Sequence, residues 1–261
     1  MKAILGVERE LQNTFQIIEY ENGNGDFHFH SQIELCIVDS GKVEAIVNNN
    51  TKTLQEGEIA IALSYDTHGF FPSNYARFTV LIIPIDMCEN FVSTIEHKKI
   101  SNPFICDIPS MQKIKECVDE LKKESTNEIE KIGYIYLILG IVIKNLYFET
   151  SSETPETELL AKLLLHIHEN YSKNLTLSSI SKTFGYNQSY ISSYFKSCLN
   201  IGIIQYINIV RLKNVMKLIR KKKHSITYCA LECGFNSMRT FYRVFRNEFH
   251  CSPKEYFKKM I

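Results

Sequence analysis

Two groups of residues have the types and spacing to do chemistry. The first is Phe27-His28-Phe29-His30 followed by Glu34 and Gly41, a His-x-His-x3-Glu-x6-Gly pattern. Alternate residues of a strand face the same way, so His28 and His30 share one face. Imidazole and carboxylate groups suit Fe, Mn, Ni or Zn, and they also suit a small ligand that needs hydrogen-bond partners. The second group is repeated. Leu177–Phe195 runs Ile180-Ser181-x3-Gly185-Tyr186, then Ser189-Tyr190-Ile191 and Phe195-Lys196. Ile226–Phe245 runs Cys229-Ala230-x3-Gly234-Phe235, then Arg239-Thr240-Phe241 and Phe245-Arg246. The glycines are 49 residues apart and the Phe-basic pairs 50 apart, so one residue is inserted in the second turn.

A small residue, three others and a Gly before a second amphipathic helix is the pattern of a helix-turn-helix unit. Ser181 and Ala230 must be small because the second helix crosses closely there, and Gly185 and Gly234 can take the positive φ that reverses the chain. Ile191, Phe195 and Leu199 line one face of the first copy, as Phe241, Phe245 and Phe249 do in the second. The opposite faces carry Gln188, Ser189, Ser192, Ser193 and Lys196, and Arg239, Tyr242, Arg243 and Arg246. Hydroxyl, amide and guanidinium groups read base edges and grip phosphates.

The elements that must position these groups divide the chain. Residues 14–84 read as strands, with short apolar runs Ile33–Val38, Val43–Val47, Glu58–Leu63 and Phe78–Pro84 between Gly, Asn and Asp clusters. Asn48-Asn49-Asn50 makes a hairpin loop. Beyond Pro109 the period turns helical, over about 110–124 and 127–148, with a stripe of Ile132, Ile135, Leu139 and Val142. Thr150–Thr157 is polar and carries a Pro, a linker, and everything from Glu158 on reads as helix.

Charge follows the same division. The chain's net charge is +1, yet residues 156–261 hold 17 Lys/Arg against 6 Asp/Glu with no Asp, a net of +11, and residues 1–155 hold 13 against 23, a net of −10. A polyanion partner is expected for the second half. Apolar residues at 44% and charged residues at 23% exclude a disordered or fibrous chain. The longest apolar run, Ile135–Ile143, is far short of a membrane span, so no membrane partner is expected. Eight scattered cysteines, with only Cys229 and Cys233 close, point to reduced thiols in a cytoplasmic protein.

Residues 158–261 resemble the DNA-binding domain of AraC/XylS transcriptional regulators. The second unit carries the signature, Ala230-x3-Gly234-Phe235-x-Ser237-x3-Phe241-x-Arg243-x-Phe245-Arg246, followed by Ser252-Pro253-x2-Tyr256. The connecting helix has Tyr206 and Arg211-Leu212 at the family's places. The resemblance implies seven helices, two reader helices in successive major grooves of double-stranded operator DNA, and bases faced by Ser189, Ser192 and Ser193 and by Arg239, Tyr242 and Arg243. Asn200 and His250 stand where the family has Gly, and Phe257 where it has Arg. Arg220-Lys221-Lys222-Lys223 ends the connecting helix, either as a dipole-favoured terminus or as a phosphate contact.

The amino-terminal pattern resembles the cupin barrel, whose two motifs bring two His, one Glu and a later His together inside. Here they are His28, His30, Glu34 and, after Gly57, His68. Leu63, Tyr65 and Pro72 depart from the second motif. Three readings stand side by side: a metal enzyme tethered to DNA, a sensor using these residues for an effector or a divalent metal, and a relict in which His and Glu satisfy one another. The AraC resemblance favours the sensor. The expected architecture is α+β multidomain: a cupin-like effector-sensing β-barrel over 1–105, a helical dimerisation segment over 106–150, a linker over 151–157, and a DNA-binding domain with two helix-turn-helix units over 158–261. The resemblance implies a homodimeric activator working with RNA polymerase, and no catalysis. Phe27, Phe29, Tyr65, Phe70 and Phe71 flank the site, most as core. His166 and His168 are packing or surface residues, and His97 and His224 stand alone.

Overall fold

The computed structural model describes residues 3–11, 14–23, 26–95, 98–150, 155–220 and 224–258. The chain forms two compact units, Met1–Ile4 with Thr14–Ser152, and Leu5–Asn13 with Glu153–Ile261. It opens with β1 (Ile4–Leu5) and α1 (Val7–Leu11). The strands that follow are β2 (Gln16–Glu21), β3 (His28–Phe29), β4 (Ile33–Ser40), β5 (Val43–Val47), β6 (Asn50–Leu54), β7 (Ile59–Ala62), β8 (His68–Pro72) and β9 (Arg77–Ile83). Then come α2 (Glu89–Ile95), β10 (Lys98–Ile100), β11 (Phe104–Ile105), α3 (Ile108–Leu121), α4 (Glu128–Asn145) and β12 (Phe148–Thr150).

The strands build two five-stranded sheets, ordered β1-β3-β8-β5-β6 and β11-β7-β4-β9-β2. Asn48 turns the β5–β6 hairpin at a φ of 52°, as its Asn cluster led us to expect. Strand β4 is buried on both faces. Cys36 and Val38 point between the sheets, against Val43, Ala45, Val47, Phe70, Phe78 and Val80. Ile33, Leu35 and Ile37 point the other way, against Ile114, Val118, Ile135 and Leu139 of the helical pair. Each such side chain contributes about 1.5–3 kcal/mol through burial. Because strand side chains alternate, Glu34 shares the inner face with Cys36 and Val38. A carboxylate is thereby set into the interior.

Helix α4 begins at a capping box, Asn127 accepting from the amides of Ile129 and Glu130 while Glu130 returns a bond to the Asn127 amide. Its buried stripe is Ile135, Ile138, Leu139 and Val142. Ile132 is 42% exposed and lies outside that stripe, contrary to the spacing argument. It stands in the second turn, ahead of Ile135, the first buried residue of the helix. The segment after α4 is also not wholly helical, since β12 pairs with β10.

The second unit is helical: α5 (Pro155–Asn170), α6 (Leu177–Phe184), α7 (Gln188–Leu199), α8 (Ile203–Arg220), α9 (Ile226–Glu232), α10 (Met238–Phe249) and α11 (Pro253–Lys258). These are the seven expected helices. Helix α5 begins at Pro155, three residues ahead of expectation, because Pro is favoured in a first helical turn. Residues 151–154 of the expected linker lie outside the described residues, as do Lys221, Lys222 and Lys223. Helix α1 belongs to this unit and packs on α8. There Glu10, fully buried, stands 3.5 Å from the Lys213 ammonium. Sequence patterning assigned the first 105 residues to the barrel and could not see that α1 packs with the helices instead.

Candidate functional site

The four expected residues of the amino-terminal unit converge. One ligand atom from each of His28, His30, Glu34 and His68 lies within 4.8 Å of the others. Antiparallel β3 and β8 place His28 directly opposite His68. The His28 and His68 ring centroids are 4.5 Å apart, and His30 and His68 are 4.9 Å apart. His30 and His68 are fully buried and Glu34 is 2% exposed. His28 is half-buried.

Backbone carbonyls fix the outer two rings. His28 Nδ1 donates to the Asp26 carbonyl at 2.6 Å and His68 Nδ1 to the Asp66 carbonyl at 2.8 Å. That leaves His28 Nε2 as a bare acceptor, and neither Nε2 has a partner at hydrogen-bond distance. His30 Nε2 donates to Glu34 Oε2 at 3.0 Å, while its Nδ1 is buried without a partner. His68 Nε2 is 3.7 Å from the same oxygen. A buried polar atom left unpaired costs about 1–3 kcal/mol, so three of them in neighbouring rings are costly without a further partner. Metal-binding imidazoles are held in this way, one ring nitrogen on a carbonyl and the other turned inward.

Charge is arranged to match. Burial, and after it the neighbouring His68, lowers the His28 imidazole to about 4. Burial would raise Glu34, but the His30 and His68 rings outweigh it and hold the carboxyl below its usual range. Burial would lower His68, but the Glu34 carboxylate holds it above its usual value. The site therefore presents an ionised carboxylate and a neutral outer imidazole. Three imidazoles and one carboxylate fit a first-row divalent ion, for which they would be the ligands.

The loop between β7 and β8 supports this geometry. Tyr65 N donates to the His30 carbonyl at 2.7 Å, and Ser64 Oγ to the Ser31 carbonyl at 2.7 Å. Asp66 accepts from the Leu63 amide and from Asn48 Nδ2. Tyr65 sits at a φ of 66°, where the cupin pattern has Gly. A tyrosine held there costs about 1–3 kcal/mol, which the loop's bonds to the His30 strand offset. Phe29 and Phe70 are buried, and Phe27, Tyr65 and Phe71 are half-buried. His97 lies outside the described residues, and His224 stacks on Tyr228 at 4.3 Å.

The second unit realises the repeat. Thr176 and Ser225 cap α6 and α9 through the amides of Ser179 and Tyr228. Gly185 and Gly234 take φ of 73° and 85°. Asn187 and Ser237, 50 residues apart, then cap the second helices. Asn200 and His250 both end those helices in the left-handed region, at φ of 59° and 54°. Both residues take a left-handed conformation that Gly adopts readily. Gln188, Ser189, Ser193 and Lys196 are exposed on α7, with Ser192 half-buried, and Arg239, Tyr242, Arg243 and Arg246 are exposed on α10. His168 Nε2 shares a hydrogen bond with the buried Tyr206 hydroxyl, and His166 packs edge-on to Phe184.

Sequence reasoning placed Arg211 only as a family marker. It is 7% exposed, its Nε donating to the Tyr171 carbonyl at 2.8 Å and its terminal nitrogen to the Lys173 carbonyl at 2.9 Å. A Cβ on Gly234 would stand 2.6 Å from that same Tyr171 oxygen. The turn at 171–173 is thus clamped between α8 and the second unit's turn. No local spacing announces this.

Residues 180–259, which take in both second helices, match the helix-turn-helix domain family. The melibiose operon regulatory protein of Escherichia coli strain K12 is 24% identical over 254 residues, covering 88% of this chain and 83% of that protein. The chain thus carries a helix-turn-helix domain and is similar over most of its length to a DNA-binding operon regulator. The Msm operon regulatory protein of Streptococcus mutans is 29% identical over 140 residues, 52% of this regulator and 50% of that protein. Among solved structures, ToxT from Vibrio cholerae aligns over 94% of this regulator and 98% of that chain, at 16% identity and a TM-score of 0.46, and nothing further rests on that likeness. No helix among the described residues is long and apolar enough to cross a membrane.

Proposed function

We propose that this regulator answers to an effector held at His28, His30, Glu34 and His68, and that a divalent first-row metal ion is part of what they hold. One observation carries the reading: one ligand atom from each of the four residues lies within 4.8 Å of the others, and each of the three histidines has a buried ring nitrogen without a hydrogen-bond partner. A relict in which His and Glu satisfy one another would leave no such remainder. The relatives reported above are regulators, and nothing in them favours the enzyme reading. When bound, the ion would act as a Lewis acid that cross-links strands β3, β4 and β8. Glu34 would supply the charge, and the carbonyls of Asp26 and Asp66 would keep two rings aimed inward.

In this reading Gln188, Ser189, Ser192, Ser193 and Lys196 of α7 and Arg239, Tyr242, Arg243 and Arg246 of α10 face operator DNA. The exposed side of α4, with Ile129 at 83% and Ile132 and Leu137 at 42%, is a dimerisation face. RNA polymerase is the partner through which bound regulator activates transcription. An effector matters only through a difference in its affinity for the DNA-competent and DNA-incompetent arrangements. The test is metal content and operator affinity measured on the full chain, its Glu34→Gln variant and chelated protein. We expect one ion per wild-type chain, none in the variant, and an operator affinity that changes with loading. No stoichiometric metal, or a loaded protein with unaltered DNA affinity, overturns the metal or the effector assignment respectively.

A further inference from the structure

Helix α7 carries a feature that α10 lacks. Tyr186, Tyr190 and Tyr194 follow one another at spacings of four, and their rings form a column. Tyr186 and Tyr190 stack at 4.9 Å and 20°, and Tyr190 and Tyr194 at 5.9 Å and 7°. Tyr194 is half-buried and roots the column, while Tyr186 is 45% and Tyr190 41% exposed. The second unit disposes of its aromatic residue differently: Phe235, after the equivalent glycine, is 2% exposed and packs edge-on to Phe241 at 5.4 Å. The same turn thus buries a ring in one unit and presents one in the other.

The column's surroundings say what covers it. It shares the outward side of α7 with exposed Ser189, Ser193 and Lys196, at the start of the second helix of a helix-turn-helix unit. The half of the chain that carries it has a net charge of +11 and no Asp, which attracts a polyanion and repels an acidic protein face. The serines beside it make degenerate base contacts. In the major groove the one apolar group on a base edge is the thymine methyl.

We propose that Tyr186 and Tyr190 enter the major groove and select thymine by packing ring surface on its 5-methyl group. This rests on the reading that α7 faces DNA. The first unit then specifies sequence by an apolar contact, and the second by guanidinium contacts. Tyr194 acts as a positioning residue that holds the outer rings parallel.

The experiment uses the full-length regulator and an operator selected by it from a random-sequence duplex library. Each thymine of the half-site bound by the first unit is replaced in turn by deoxyuridine, which lacks only the methyl. Wild-type protein should lose about fourfold at one or two positions, the equivalent of one buried methyl. Tyr190→Ala should bind the parent operator more weakly and no longer distinguish thymine from deoxyuridine there, whereas Tyr190→Phe keeps the distinction. Should Tyr190→Ala melt early, Tyr186→Ala at the free end of the column carries the test. A methyl response identical in wild type and both alanine variants overturns the inference, as does no response in any. Unaltered DNA affinity with lost transcription overturns it too, and assigns the column to a protein partner. Lys196→Ala in the same titrations separates the two levels. If it weakens binding and the tyrosine variants do not, the column alone is wrong. If none of them weakens binding, α7 is not on DNA and the wider reading fails as well.

Discussion

The two helix-turn-helix units have one frame and two different surfaces. Both begin with a hydroxyl cap, turn at a left-handed glycine, cap again and end at a left-handed non-glycine residue. Their interiors differ. Phe241, Phe245, Phe249, Tyr256 and Phe257 form a continuous set of ring contacts behind α10, with Phe245 between 4.5 and 6.1 Å from Phe249, Tyr256 and Phe257. Behind α7 the aliphatic Ile191 and Leu199 flank Phe195. Outside, three arginines stand on α10 where α7 has serines and one lysine. Duplicated backbone chemistry thus leaves affinity and specificity free to diverge, because caps and turns use only a few positions and the outward face uses the rest.

The glycines offer the largest test of that comparison. A Cβ at Gly234 meets the Tyr171 and Ser172 carbonyls at 2.6 and 2.8 Å, while one at Gly185 meets nothing within 4 Å. Gly234→Ala should destabilise the DNA-binding unit by about 3 kcal/mol, from backbone strain plus overpacking. Gly185→Ala should cost only about 1 kcal/mol, from the positive φ alone. Equal melting temperatures for the two variants would show that the second turn is not clamped.

Next comes base reading. Arg243→Ala should weaken operator binding by about 1–3 kcal/mol and relax preference at one base pair, as read by competition against site variants. Ser193→Ala, its counterpart 50 residues earlier, should cost about 0.5 kcal/mol, the low end for one net hydrogen bond. The reverse ranking would assign specificity to the first unit.

The caps should be equivalent. Asn187→Ala and Ser237→Ala should each cost about 1 kcal/mol in thermal unfolding, since both side chains satisfy one helix amide. A large inequality would mean that one cap has a second task. Smallest per residue is the phosphate contribution. Lys196→Ala and Arg246→Ala should each lower the slope of log affinity against log salt by about 0.9, uniformly over sequences. An unchanged slope would remove that side chain from the backbone contact set.

The sequence made much of this legible. The repeat, its inserted residue and its nine outward side chains were visible because helix periodicity and turn chemistry are local. His28 and His30 were legible by strand alternation, and Glu34 and His68 through the cupin resemblance. Three things were not. Helix α1 packs with the helices although its sequence neighbours are strands, because docking of a short helix depends on distant partners such as Lys213, which faces Glu10. Ile132 follows the apolar spacing of α4 yet is 42% exposed, because spacing gives a helix face and not how far along the helix the packing extends. Tyr186, which follows the equivalent glycine to Phe235, is 45% exposed and stacked on Tyr190 instead of packed inside, because which ring a turn covers depends on its neighbours and not on the turn's spacing.

By itself, the order of residues determined the element types, the two helix-turn-helix frames, the split of charge between the halves and the kind of donors gathered near His28. Those follow from backbone preference, periodicity and side-chain chemistry, each acting over a few positions. Only the tertiary structure decided that three imidazole nitrogens are sealed away without partners, that Arg211 and Gly234 close on one turn, and which tyrosines meet water. Burial is a property of what a distant part of the chain covers, and no local pattern encodes it.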